Sequence, residues 1–112
     1  MLKYRFETKD LLGRLNHFIV AGAPYEMLGN ISTSYLSRSP EVTNLIFNLE
    51  QVLVGTKDGY PWGEDDCAFS SEPALTYIDY DFGDHTITIP TTEILQLLRD
   101  WLAYLQQQAQ SA

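Results

Sequence analysis

Positive charge is scarce in this sequence and is missing altogether from one long stretch. The 112 residues include seven Lys and Arg against fifteen Asp and Glu, for a net charge of −8. Residues 58–98 contain no Lys or Arg and nine carboxylates, so this range alone accounts for the net charge. Such a surface repels nucleic acid and anionic membranes and attracts cationic partners. We therefore expect neither nucleic acid nor a membrane as a direct partner. Acidity that only keeps the chain in solution is the alternative interpretation.

Cysteine and long apolar runs are also scarce. Cys67 is the single cysteine, which excludes an internal disulfide framework and is typical of a reducing compartment. No apolar run approaches the ~20 residues of a membrane-spanning helix. The first residues, MLKYRFETKD, mix charged and apolar side chains, unlike a signal peptide. We expect a cytoplasmic protein with a single domain over residues 1–112, because this length sustains one core.

Recognisable catalytic and metal-binding patterns are missing as well. There is no Gly-rich phosphate loop and no obvious spacing of nucleophile and base. Cys67 follows three acidic residues, which raise the pKa of a thiol, and we interpret it as a small buried strand residue. Asp79, Asp81 and Asp84 could offer oxygen ligands to a hard cation, but without an EF-hand pattern. The sequence therefore predicts no catalytic residue, no metal site and no cofactor.

What is present is apolar periodicity. Leu11, Leu12, Leu15, Phe18 and Ile19 have the three-four spacing of an amphipathic helix that carries His17 and ends at Gly22. A shorter helix is predicted around residues 27–36. A third has Ser39 as its cap, Pro40 in its first turn and Gly55 beyond its end. A last helix begins at Thr91 or Thr92, and its stripe of apolar residues includes Trp101.

Between the third and last helices the period changes to two. Residues 76–82 and 85–89 alternate, and Gly83-Asp84 suits a two-residue hairpin turn. That turn pairs Phe82 with His85 and places both on the core side, while Asp79 and Asp81 face outward. Residues 67–71 are predicted as a third strand. The expected fold is α+β, with helices packed on one face of a small antiparallel sheet centred on this hairpin, and a C-terminal helix.

The segment DGYPWGEDD, residues 58–66, combines two aromatic residues with clustered carboxylates. We predict that Tyr60 and Trp62 lie in an exposed loop, because Gly and Pro interrupt it, and that they anchor a partner. Acidic residues around them would steer a basic surface into place. The alternative is that Trp62 folds back onto the core. The predicted partner-binding residues are Tyr60, Trp62, Glu64, Asp65, Asp66, Asp79 and Asp81.

Two segments of the sequence resemble a known family of proteins. VLVGTKDGYPWGEDD (52–66) and YDFGDHTITIPTTEILQLLRDWLAYL (80–105) resemble the small immunity proteins of bacterial contact-dependent growth inhibition and related polymorphic toxin systems. The resemblance implies an antitoxin that binds and blocks the C-terminal domain of a cognate toxin, often a basic nuclease. The rival hypothesis is a small enzyme, or an accessory subunit of one, that uses His85 and the nearby aspartates as an acid-base cluster.

Overall fold

The computed structural model describes residues 2–111 and confirms the α+β class. Its elements come in a mixed order along the chain. They are β1 (Tyr4–Leu11), β2 (Arg14–Ala21), α1 (Leu28–Ser32), α2 (Ser39–Leu53), β3 (Tyr60–Glu64), β4 (Cys67–Ser71), β5 (Leu75–Tyr80), β6 (His85–Pro90) and α3 (Thr91–Ser111). The strands form a two-stranded sheet, β1-β2, and a four-stranded antiparallel sheet, β3-β4-β5-β6.

The helices after residue 38 follow the predicted pattern closely. Pro40 lies in the first turn of α2, and Gly55, with φ of 89°, follows its end. The residue at the N-cap is Arg38, with no side-chain capping bond, so the prediction of Ser39 as the cap is wrong by one position. In α3 the apolar stripe is buried, and Trp101 is completely enclosed. No helix in the described part of the chain is both long and apolar enough to cross a membrane.

The predicted first helix is wrong, because residues 4–21 form a β-hairpin. Leu11 pairs with Arg14, and Leu12-Gly13 make a two-residue turn in which both φ angles are positive. Glycine costs about 1 kcal/mol inside a helix but suits this turn, which favours the hairpin. Phe6 and Ile19 pair across the strands and lie on the core side. His17 therefore lies on a strand.

The four-stranded sheet has one buried face and one open face. Trp62, Phe69, Ile78 and Ile89 are buried on the inner face, one from each strand, and the helices cover them. The strand at 67–71 is confirmed as β4. The predicted loop at Tyr60 and Trp62 is wrong, because these residues belong to β3, an edge strand.

The central hairpin has a different register from the one predicted. Tyr80 pairs with His85 and Ile78 with Ile87, so a four-residue connection, 81–84, replaces the two-residue turn. The shift is two residues, which leaves the buried alternation intact. Its consequence is local: Phe82 leaves the predicted inner face and is 78% exposed. Asp81 leaves the strand and enters the turn with φ of 59°.

Candidate functional site: the acidic end of the sheet

The carboxylates of the sheet are concentrated at one of its ends. In a meander of antiparallel strands, the β3-β4 turn and the β5-β6 turn lie at the same end. We call this the acidic end and define it by the residues of these turns. They are Glu64, Asp65, Asp66, Asp81 and Asp84. All are exposed except Glu64, which is half-buried.

A backbone hydrogen bond joins the two acidic turns. The amide of Asp81 donates to the carbonyl oxygen of Asp66 over 3.0 Å. At the end of β3, the backbone of Gly63 packs closely against β4. Gly63 has φ of 103°, and an added Cβ would lie 2.5 Å from the carbonyl oxygen of Cys67. Only glycine accommodates both the conformation and the contact. The carboxylates of the two turns are therefore kept together by the backbone.

Asp79 lies beside the acidic end on the open face of the sheet. It pairs with Ala68 on β4 and with Thr86 on β6. The hydroxyl of Thr86 donates to its Oδ1 over 2.6 Å. The expectation that Asp79 faces outward is confirmed.

The two aromatic residues do not join the acidic residues. Trp62 is only 6% exposed, stacks on Phe69 with ring centroids 3.9 Å apart, and donates from its indole N–H to Ser71 Oγ over 3.0 Å. The expectation of an exposed Trp62 is thus wrong, and the alternative, that it packs onto the core, is correct. Tyr60 is half-buried at the other end of β3, roughly 13 Å from Glu64 by strand rise. The ammonium of Lys57 lies 5.1 Å from its ring centroid.

Phe82 is the aromatic residue that the acidic end does present. It lies between Asp81 and Asp84 with φ of 56°, a conformation that bulky residues rarely adopt. The sequence pattern concealed it, since a two-residue turn assigns Phe82 to the core. The symmetric segment Asp-Phe-Gly-Asp, with a turn-forming residue on each side of Phe-Gly, was the available signal for a longer turn.

A cavity of about 230 Å³ separates the acidic end from α1, and we call it the turn cavity. Its walls combine carboxylates with apolar and small polar side chains. They are Met27, Asn30, Ile31, Ser34, Glu64, Asp66, Cys67, Tyr80, Asp81 and Phe82. A lysine or arginine side chain has matching chemistry, with an aliphatic stem and a cationic head.

Cys67, His17 and His85 are the side chains considered for acid-base or nucleophilic chemistry. Burial, followed by Asp66 and Glu64, raises the pKa of the Cys67 thiol to about 11. Cys67 is buried on β4, which confirms its interpretation as a small buried strand residue. His17 Nδ1 lies 2.7 Å from the hydroxyl of Thr8, in a packed contact with Tyr104. His85 is exposed, with Nε2 3.8 Å from Asp81 Oδ2.

Within residues 2–111, no three His, Cys, Asp or Glu side chains are grouped so as to hold a metal ion. Of the aspartates in the β5-β6 hairpin, Asp79 lies on strand β5, and Asp81 and Asp84 lie in the turn. In comparisons with known proteins, no protein-family profile, curated protein or solved structure matches the chain.

Proposed function

We propose that this chain is an immunity protein that binds a basic toxin domain, such as a nuclease, and neutralises it through the acidic end. The observation that supports this most is the convergence of five carboxylates from two turns at one end of the sheet. The same range of sequence, 58–98, supplies no Lys or Arg to neutralise them. The resemblance to polymorphic-toxin immunity proteins suggests the class of partner.

Electrostatics gives the acidic end its proposed role in recognition. Several carboxylates grouped on one surface accelerate encounter with a basic partner and orient it. A basic nuclease cleft is such a surface, since it must attract phosphate. Nucleic acid itself carries the same sign as the acidic end and is repelled. The proposed site of action is the cytoplasm, where a nuclease toxin would meet its substrate.

Affinity requires apolar contact in addition to charge, and Phe82 is positioned to supply it. Its ring is 78% exposed in the β5-β6 turn of the acidic end. In this proposal it replaces Tyr60 and Trp62 as the aromatic anchor. Trp62 is buried on the inner face of the sheet, and Tyr60 lies half-buried at the opposite end of β3, with the Lys57 ammonium over its ring.

The rival proposal, a small enzyme, depends on the pair of Asp81 and His85. The two side chains are 67% and 58% exposed, and His85 Nε2 lies 3.8 Å from Asp81 Oδ2. Both side chains are open to solvent, whereas an active site usually excludes water from its acid-base groups. We therefore favour binding over catalysis.

The direct test is co-purification with the product of the gene immediately upstream, which the proposal expects to contain a basic toxin domain. The wild-type chain should co-purify with that domain and protect growing cells from it. Phe82→Asn should keep the fold, because Asn tolerates positive φ, and should weaken binding by at least roughly tenfold, as for an interface anchor. Phe47→Asn, at an exposed phenylalanine of α2, is the matched control and should bind normally.

Two results would reject the proposal. One is a toxin domain that binds this chain no better than it binds an unrelated protein of equal net charge. The other is that the wild-type chain protects cells fully and His85→Ala does not, although both bind the toxin with the same affinity. The second result would support chemistry at His85 instead.

A further inference from the structure

The turn cavity combines carboxylates with apolar surface at more than one depth. Ile31 of α1 and Cys67 of β4 are buried and form an apolar floor. Met27, Glu64 and Tyr80 are half-buried and line the walls. The other lining residues are exposed and surround the opening. They are Asn30, Ser34, Asp66, Asp81 and Phe82. A charged group that enters this cavity therefore meets carboxylates together with apolar and aromatic side chains.

The carboxylates give the cavity an excess of negative charge. Burial, then Asp66 and then Glu64, raise the pKa of the Cys67 thiol, so the charge of both carboxylates reaches the floor. Within residues 2–111, neither Glu64 nor Asp66 takes part in an ion pair, and His85 Nε2 lies 3.8 Å from Asp81 Oδ2. None of the described residues that line the cavity is Lys, Arg or His. A cleft lined by one sign of charge concentrates ligands of the other sign, here cations.

The size of the cavity limits what this cation can be. Its volume of about 230 Å³ is below the roughly 300–1,000 Å³ of pockets for drug-sized ligands, so it suits a group the size of one side chain. The carboxylates of its walls are not grouped so as to hold a metal ion, as is true of every His, Cys, Asp and Glu within residues 2–111. An organic cation of side-chain size is the class of ligand that remains.

The apolar and aromatic walls favour a guanidinium over an ammonium. A head group that reaches the floor at Ile31 and Cys67 must give up part of its hydration. A guanidinium is weakly hydrated, stacks on aromatic rings such as those of Tyr80 and Phe82, and carries five donors in its plane for carboxylates. An ammonium is a compact and strongly hydrated charge, so it loses more on entering. The chemistry of the walls therefore selects arginine over lysine.

We propose that the turn cavity binds the side chain of one arginine. The guanidinium enters first and lies beside Glu64, and the aliphatic stem packs along Met27 and Phe82. The source of this arginine rests on the proposed function, since the basic toxin domain would supply it. All carboxylates of the acidic end contribute to long-range attraction, whereas the cavity recognises one side chain. It would therefore help this chain to discriminate its cognate domain from other basic proteins.

Nα-acetyl-L-arginine N-methylamide is the probe, because it presents one arginine side chain on an uncharged backbone. Titrated at constant ionic strength, it should shift the backbone amide NMR signals of lining residues such as Cys67 and Tyr80. A dissociation constant on the order of 10 mM is expected for a group of this size. The lysine analogue should bind at least roughly threefold more weakly. The norleucine analogue, which has a stem and no charge, should give no saturable shift.

Two pairs of variants locate the site. Glu64→Gln and Asp66→Asn each remove one carboxylate from the cavity and should weaken binding of the arginine probe by at least roughly threefold. Asp65→Asn and Asp84→Asn remove the same charge from the same two turns at residues that do not line the cavity. These controls should change the affinity by less than about twofold at physiological ionic strength, where exposed charges are screened. A difference between the pairs cannot result from net charge.

Competition identifies the source of the arginine. Saturation-transfer NMR signals of the arginine probe should be present with the free chain. They should be lost when the toxin domain is bound, because its own arginine would then fill the cavity. The toxin domain alone, with the same probe, is the control for binding of the probe to the toxin domain itself.

Four results would overturn the inference. They are the absence of saturable binding of the arginine probe, equal affinity for the lysine analogue, equal effects of the cavity variants and their controls, and unchanged binding of the probe in the toxin complex. The first three are measured without the toxin domain, and the fourth leaves the complex itself intact. Failure of co-purification would instead reject the proposed function, and the first three measurements would still decide whether the cavity binds arginine.

Discussion

Replacing Trp101 tests the packing of the core most severely. Its side chain is completely buried between α3 and the first hairpin, where its ring centroid lies 5.3 Å from that of Phe6. Its indole N–H donates to the carbonyl oxygen of Leu36 over 2.7 Å. One residue therefore joins α3, β1 and the segment before α2.

The expected cost of Trp101→Ala follows from these two contributions. Truncating a buried tryptophan costs about 3–5 kcal/mol. The carbonyl of Leu36 also loses its buried partner, which alone costs about 1–3 kcal/mol. We expect a total near the upper end of the first range. Domains of this kind have about 5–15 kcal/mol of stability, so the variant should be close to unfolding.

Urea unfolding followed by far-UV circular dichroism measures this cost. Trp101→Phe keeps most of the packing and loses the N–H, so it should cost only about 1–3 kcal/mol. Gln106→Ala, at an exposed position of the same helix, should change stability by less than about 0.5 kcal/mol. A loss below about 1 kcal/mol for Trp101→Ala, with an unchanged denaturant slope, would refute this description of the core.

Three further predictions concern the sheet. Gly63→Ala should lower the free energy of unfolding by at least about 2 kcal/mol, because its Cβ would meet the Cys67 carbonyl and, at 2.9 Å, the Phe69 ring. A variant as stable as wild type in urea unfolding would contradict the strand geometry. Because the pKa of Cys67 is raised to about 11 from 9.0, its thiol should react with iodoacetamide about a hundredfold more slowly than a free thiol near pH 8. The associated stability is complete below the unfolded pKa and lost as pH rises through about 11, so a stability curve that is flat across this window would contradict the shift. His85→Ala should leave stability within about 0.5 kcal/mol of wild type, because His85 is exposed, and should leave protection against the toxin intact.

Local patterns predicted the elements that local chemistry decides. Pro40 and Gly55 bracket α2, and the alternation of residues 75–80 and 85–90 indicates paired strands. The register of that hairpin could not be predicted from alternation, because a shift of two residues leaves the same side chains inside. The backbone bond from Asp81 to Asp66 belongs to the observed register and joins residues far apart in sequence.

The first hairpin shows why periodicity alone can mislead. Leu11, Leu12 and Leu15 have helical spacing, yet all three are exposed at a turn. The helical spacing of these three leucines therefore does not indicate a buried face of a helix. The sequence left two alternatives for Trp62, exposed or packed on the core, since its burial depends on Ser71 and Phe69 of the neighbouring strand. What the sequence did predict of the candidate site is its charge, and what it did not predict is which turns bring that charge together.

The rate of association with the basic partner tests the central claim most directly. Asp65→Lys/Asp66→Lys alters the acidic end, and Asp58→Lys/Glu72→Lys makes the same change of net charge at the opposite end of the sheet, where β3 begins and β4 ends. The first variant should associate at least roughly tenfold more slowly at low salt and show a weaker salt dependence, whereas the second should stay close to wild type. Equal slowing of both variants, or of neither, would contradict a binding surface at the acidic end.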